Sequence, residues 1–158
     1  QRIGYVSENQ ELPLWMTATD LLGYCAPFYP AWDRAFAASL AKQLALPVDK
    51  PLKACSRGTK MKAALVASLA YHPELIVLDE PFAGIDPLAV VDIKNIIKHL
   101  QKRGIGILIS DHNVRETLSV CEKAYILHDG QVIESGTPET IAASETACRI
   151  YLGSEFRL

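Results

Sequence analysis

The run Leu75-Ile76-Val77-Leu78 leads straight into two adjacent carboxylates, Asp79 and Glu80, and then into Pro81. A short apolar run closed by a polar turn predicts a buried strand. Such strands belong to parallel sheets with helices on either side. Ligands of open α/β sheets gather outside the carboxyl ends of the strands, so the acid pair is predicted at that edge. There, one carboxylate can hold Mg²⁺ while its neighbour activates water, the pairing that nucleotide hydrolysis needs. The plainer alternative is a core strand meeting a polar turn. A glycine turn upstream, Ser56-Arg57-Gly58, and the segment Ser110-Asp111-His112 downstream favour the chemical reading.

The surrounding pattern alternates strand and helix. Ile3 to Val6 reads as a strand ending in Ser7-Glu8-Asn9-Gln10. Residues 18–25 and 31–46 read as helices punctuated by Pro27, Pro30 and Pro47, and Thr59 to Tyr71 as an Ala-rich helix. After the strand 75–78 comes a helix from Pro87 to about Arg103, with Asp86 as N-cap and Gly104 as stop, and then a strand over 105–109. Asn113 and Glu116 suggest a capping box for another helix. A hairpin over 124–134 turns at Asp129-Gly130, and short helices are predicted over 138–143 and 145–152. Residues 11–70 form a helical subdomain in this reading, 1–10 and 71–135 a sheet core, and 136–158 C-terminal helices.

Composition sets bounds without naming a task. A chain of 158 residues with 49% apolar content and a net charge of −2 supports one domain with a sizeable core. No apolar stretch approaches the ~18 residues of a membrane span. Cys25, Cys55, Cys121 and Cys148 lack C-x-x-C spacing, which favours a reducing compartment over a disulfide framework or zinc site. His72, His99 and His128 have no paired ligands and read as structural or solvent-facing. Lys50, Lys53, Arg57, Lys60 and Lys62 crowd the glycine turn, and no acid interrupts residues 50–73. Around a turn that opens a helix, that charge favours attraction of phosphate. Ser56 and Gly58 sit where unpaired backbone N–H groups and the positive helix end bind anions, although Ser56 can also simply cap the helix. Interleaved aromatics of a nucleic-acid groove are missing, so no nucleic-acid partner is expected.

Taken in order, Ser56-x-Gly58, the apolar run into Asp79-Glu80, Gly84-Ile85-Asp86 and Asp111-His112 resemble the later two-thirds of an ABC-type ATPase. In that family these are the signature loop, Walker B, D-loop and H-loop. The resemblance spans essentially the whole chain and implies a P-loop NTPase-like α/β nucleotide-binding domain, with a mostly parallel sheet, a helical subdomain and a C-terminal hairpin. A G-x-x-x-x-G-K-[ST] phosphate loop does not occur: Gly130 and Gly136 are six apart and Thr137 stands where Lys should. The chain opens mid-domain at Gln1 and is expected to be a fragment, inactive alone.

The resemblance assigns roles residue by residue. Asp79 acts on Mg²⁺ through water, Glu80 polarises the attacking water, and His112 reaches the γ-phosphate of ATP. Ser56 and Gly58 meet the γ-phosphate held by an opposite subunit, so a dimer is implied, and Asp86 helps position that subunit's site. Cys55, Arg57 and Thr59 replace the usual Leu, Gly and Gln of the signature. The Q-loop glutamine falls on Glu8 by ungapped counting, with Gln10 two residues later as the other candidate.

From Pro81 onward the chain resembles lipopolysaccharide-export ATPases. The carriers are Pro81-Phe82-Ala83-Gly84-Ile85-Asp86-Pro87, Ser110-Asp111-His112-Asn113-Val114-Arg115-Glu116-Thr117-Leu118 and Tyr151-Leu152-Gly153-Ser154-Glu155-Phe156-Arg157-Leu158. Residues 1–80, through Tyr5 to Pro13 and Cys55 to Lys62, resemble ATPases of antibiotic-resistance exporters, which implies a composite sequence. The implied partners are a second ATPase subunit and integral membrane transporter subunits at the cytoplasmic face of the inner membrane. The implied cargo is lipopolysaccharide, with a small molecule or antibiotic as the alternative. A ribosome- or DNA-directed ATPase fits less well, for want of a long coiled coil, a second cassette or a basic tail.

Overall fold

The computed structural model describes residues 2–149. Packing divides the chain into two units, residues 1–112 and 113–158. In the first, three parallel strands lie in the order β1 (Ile3–Val6), β2 (Leu75–Asp79), β3 (Gly106–Ser110). The register sets Val6 beside Leu78, Leu78 beside Ile109 and Asp79 beside Ser110. All three strands therefore finish on one edge, from which the segments beginning at Ser7, Glu80 and Asp111 depart.

Burial alternates along β2. Ile76 and Leu78 are buried, whereas Leu75, Val77 and Asp79 are only half-buried. Val6 shares the covered face, and helices α3 (Arg57–Leu69) and α4 (Pro87–Lys102) pack against β1 and β3. On the opposite face Ile3, Tyr5 and Leu108 are each more than half exposed. A strand is buried on both sides only where both faces are covered. Within the described part of this unit, α3 and α4 cover one.

Local chemistry sets the helix boundaries. α1 (Ala18–Cys25) opens with a capping box: Thr17 Oγ1 accepts from the Asp20 backbone N–H at 3.1 Å, and the Thr17 N–H donates to Asp20 Oδ2 at 3.0 Å. α2 (Arg34–Gln43) is shorter than the span 31–46 suggests, because Asp33 caps it by accepting from Phe36 N–H at 2.8 Å. α3 starts two residues before the expected Thr59. α4 matches its signals closely, with Asp86 capping Ala89 N–H at 3.0 Å and Pro87 in the first turn. Its buried stripe is Ala89, Ile93, Ile96, Ile97 and Leu100. Each large side chain in that stripe contributes about 1.5–3 kcal/mol by leaving water.

The second unit comprises α5 (Val114–Leu118), β4 (Ala124–His128), β5 (Gln131–Gly136), α6 (Pro138–Ala143) and α7 (Glu145–Ala147). Asp129 and Gly130 both have positive φ, 47° and 75°, as a type I′ hairpin turn requires. Leu118, Ile126, Ile141 and Ala147 form the core of this unit. That packing joins the hairpin to the short helices, whereas the sequence reading had grouped it with the sheet. Asn113 precedes α5 but makes no capping bond, so the expected capping box is not formed there. Of the helix expected over 145–152, residues 145–147 are helical, and positions 150–152 lie outside the described residues, as does the Tyr151–Leu158 ending. Among the described residues no helix is long and apolar enough to cross a membrane.

Candidate functional site

The ends of β2 and β3 bring the acidic residues together. Asp79 closes β2, and its Oδ2 accepts from the Tyr5 hydroxyl at 3.3 Å. Glu80 then adopts a left-handed backbone, φ 52°. For a residue with a Cβ that conformation costs about 1–2 kcal/mol. Two bonds hold it: Glu80 N–H donates to Ser110 C=O at 2.7 Å, and Ala83 N–H donates to Glu80 C=O at 3.2 Å. The reversal breaks the strand's alternation and turns the Glu80 side chain toward the residues after β3.

There, His112 Nδ1 lies 2.6 Å from Glu80 Oε2. That oxygen is closed to water and has no hydrogen-bond partner. The two observations concern one contact: a close approach of ring nitrogen and carboxylate oxygen that lacks the in-line geometry of a hydrogen bond. The approach defines where the two groups stand, and Oε2 keeps unused acceptor capacity. Asp111 serves the same turn, its Oδ2 accepting from Phe82 N–H at 2.8 Å. Ligand atoms of Glu80, Asp111 and His112 all lie within 4.8 Å of one another. Asp79 is not in that trio. Carboxylate oxygens are the hard donors Mg²⁺ prefers, and an oxygen without a donor suits a cation or its water. Asp79, Glu80 and Asp111 therefore fit such an ion in donor type.

A second cluster forms where α3 meets α4. Ser56 is the N-cap of α3, its Oγ accepting from Thr59 N–H at 3.2 Å and standing 3.0 Å from Thr59 Oγ1. Gly58 lies inside the first turn of α3, one correction to the expectation that it would precede the helix. It is also buried, and a Cβ there would stand 2.6 Å from Ala89 Cβ and 3.4 Å from Asp86 Oδ2. Only glycine permits this approach. Asp86 Oδ1 caps α4 while Oδ2 faces Gly58, so one carboxylate touches both helix starts.

The front loop joins the same region. Glu8 Oε1 accepts from Arg57 Nη2 at 2.9 Å. A small cleft of about 80 Å³ is lined by Ser7, Glu8, Gln10, Arg57, Lys60 and Met61 among others. Gln10 thus stands beside Glu8 at the cleft wall. The Arg57 side chain also passes Gly84, whose φ of 61° suits a residue without a Cβ. Sequence reasoning named the acid pair, His112, the capping residues and both front-loop candidates. It missed Tyr5 and Asp111 as the neighbours of Asp79 and Phe82, and the pairing of Glu8 with Arg57. Asp111 had a signal in its position between Ser110 and His112. The other contacts join residues too far apart in the chain to leave one.

Comparison with known proteins places this geometry in context. No protein-family model matches the chain. The lipopolysaccharide export system ATP-binding protein LptB of Acidithiobacillus ferridurans is 38% identical over 99% of this chain and 67% of that protein. The chain belongs to the ABC transporter ATP-binding proteins. Within this family, LptB of Escherichia coli is 52% identical across 110 residues, covering 70% of the chain and 46% of the relative. A probable ABC transporter ATP-binding protein of Azorhizobium caulinodans is 53% identical over 68% of the chain and 38% of its own length. The chain spans about half the length of the Escherichia coli relative it matches. Among solved ABC structures, an ATP-binding cassette in its ADP conformation superimposes with a TM-score of 0.77 at 26% identity, covering 97% of this chain and 69% of that one. CbiO1 of Clostridium perfringens, part of an ABC transporter complex, gives 0.76 at 26% identity over 94% and 62%. The ABC fold is thus shared by nearly the whole chain. The match to the Acidithiobacillus relative covers nearly all of residues 1–80 as well as the part from Pro81 onward.

Proposed function

We propose that the chain carries the water-activating and signature elements of an ABC transporter ATPase subunit. The reading rests chiefly on one observation, the approach of His112 to the shielded Glu80 Oε2 at the carboxyl end of β2. Glu80, the carboxylate that follows β2 at its carboxyl end, takes the proton of the attacking water, with Oε2 held against His112. His112 lies against Glu80 and orients it toward the γ-phosphate. Asp79, held by Tyr5, would hold Mg²⁺ through water, and Glu8 or Gln10 at the cleft would supply the front-loop oxygen donor. Bound Mg²⁺ would neutralise charge on the β- and γ-phosphates.

Ser56 and the first-turn N–H groups of α3 face an anion by helix geometry. In a dimer that anion is the γ-phosphate held by the opposite subunit, and Asp86 braces the turn from α4. ATP binding then closes two subunits, and closure drives the membrane subunits to which they attach at the cytoplasmic face. Lipopolysaccharide is the preferred cargo, because relatives named for its export match up to 99% of the chain. A small-molecule or antibiotic exporter is the second reading, supported by the resemblance of Tyr5 to Pro13 and Cys55 to Lys62 to ATPases of that type.

The test is Glu80→Gln in the chain joined to a phosphate-loop segment. ATP should still bind, turnover should fall by about 10²–10⁴, and sedimentation should show an ATP-dependent dimer. A variant that stays monomeric or turns over at the parent rate would remove Glu80 from this role. Co-purification with lipopolysaccharide-export or antibiotic-export membrane subunits distinguishes the two cargo readings.

A further inference from the structure

Two oddities of the sequence meet in space. By ungapped counting Glu8 takes the place of the family's front-loop glutamine, with Gln10 the other candidate, and Arg57 replaces a signature glycine. They lie 49 residues apart, yet Arg57 Nη2 donates to Glu8 Oε1 at 2.9 Å. We propose that Glu8 and Arg57 are a compensating pair, in which Arg57 is a positioning residue that makes a front-loop carboxylate compatible with bound triphosphate. This deepens the ATPase reading and rests on it.

Each residue alone is unfavourable in its place. Arg57 is the first residue of α3, where the positive end of the helix dipole repels a cation. Lys60 follows in the next turn and lines the same cleft. Glu8 brings a full negative charge to a position where the resemblance calls for a neutral amide, near the phosphates. Together they cancel, and Glu8 also counters the helix end. The side chains are 42% and 35% exposed, so the contact adds little to folding stability. Its effect lies in charge balance and in the placement of the front loop. Arg57 reaches Glu8 by lying along Gly84, so three loops meet on one guanidinium: the front loop, the signature turn and the turn before α4.

The experiment is a mutant cycle in the chain joined to a phosphate-loop segment, with ATP half-saturation and maximal turnover read separately. Arg57→Gly alone leaves Glu8 uncompensated and should raise half-saturation about tenfold, by repulsion between carboxylate and triphosphate. Adding Glu8→Gln restores the family's neutral arrangement and should bring it back to within about twofold of the parent. Arg57→Lys keeps the charge and should lie between the two. A general loss of structure would not be rescued by a second substitution at Glu8. Multiplicative effects of the two substitutions, with no rescue, would overturn the pairing while leaving the ATPase reading intact. A parent protein that neither binds nor hydrolyses ATP would instead overturn the ATPase reading, and the pairing with it.

Discussion

His112 Nδ1 stands 2.6 Å from a Glu80 oxygen that water does not reach, and the histidine itself is two-thirds exposed. The wet partner therefore guards the dry one. Removing the imidazole should flood Oε2 and loosen its aim without touching the sheet. In the chain joined to a phosphate-loop segment, His112→Ala should lower turnover by about 10²-fold or more while ATP affinity changes little. Unchanged turnover, measured as phosphate release at saturating ATP, would mean the approach has no chemical consequence.

The left-handed backbone of Glu80 gives a second prediction. Glu80→Gly and Glu80→Ala both delete the carboxylate, but only glycine relieves the conformation. The glycine variant should be more stable than the alanine variant by about 1 kcal/mol, read from urea unfolding. Both should be inactive. Equal stabilities would show that the turn relaxes once the side chain is gone.

At the junction of α3 and α4, Gly58→Ala must place a methyl 2.6 Å from Ala89 Cβ. Overpacking of this kind costs about 1–3 kcal/mol. Ala89→Gly in the same chain should recover part of that loss by clearing the space, even though it weakens the helix. Thermal unfolding of the four members of the cycle tests the contact directly. Additive losses would place the strain elsewhere.

How much of this was legible beforehand depends on the range over which each signal acts. The apolar run into Asp79, the Asp86-Pro87 start of α4 and the Asp129-Gly130 turn are local patterns, and the structure follows them. Boundaries were less legible where a cap has rivals. Ser56 and Thr59 satisfy each other, so α3 begins at Arg57 and draws Gly58 into the helix. Asn113 had the right neighbours for a capping box, and Thr17-Asp20 is where one forms. The half-burial of Val77 could not be read from an apolar run, because the run does not say what covers each face. Tyr5 on Asp79 and Arg57 on Glu8 depend on strand order and helix placement. They become visible only when the sheet is assembled.

The cap of α2 carries a pH signature. The Asp33 carboxyl is held below its ordinary range, first by the Phe36 backbone N–H and then by His72. A carboxylate with a lowered folded-state value stabilises the protein above its unfolded-state value, and that contribution disappears as pH falls through the lowered folded value. Stability should therefore decline on the acid side of the ordinary carboxylate range, more gently in Asp33→Asn. Urea midpoints across about pH 2–7 would show this, together with a carboxyl titration of Asp33 by NMR. An Asp33 midpoint at the ordinary value would contradict it.

The chain as it stands contains no phosphate-loop sequence. Strand-end carboxylates cannot replace the backbone cradle and lysine that grip the β- and γ-phosphates. Incubated alone with Mg-ATP, it should release phosphate at background. Turnover that vanishes in Glu80→Gln would contradict this.

The bare backbone at Gly58 has a mechanical consequence. Side chains between two helices ordinarily act as cushions, changing rotamer to absorb small slips. Here the α3 backbone rides directly on Ala89, and Asp86 caps α4 while facing the same glycine. With no padding to compress, the first turn of α3 and the start of α4 should travel as one part. A push on Ser56 arrives at Asp86 undamped.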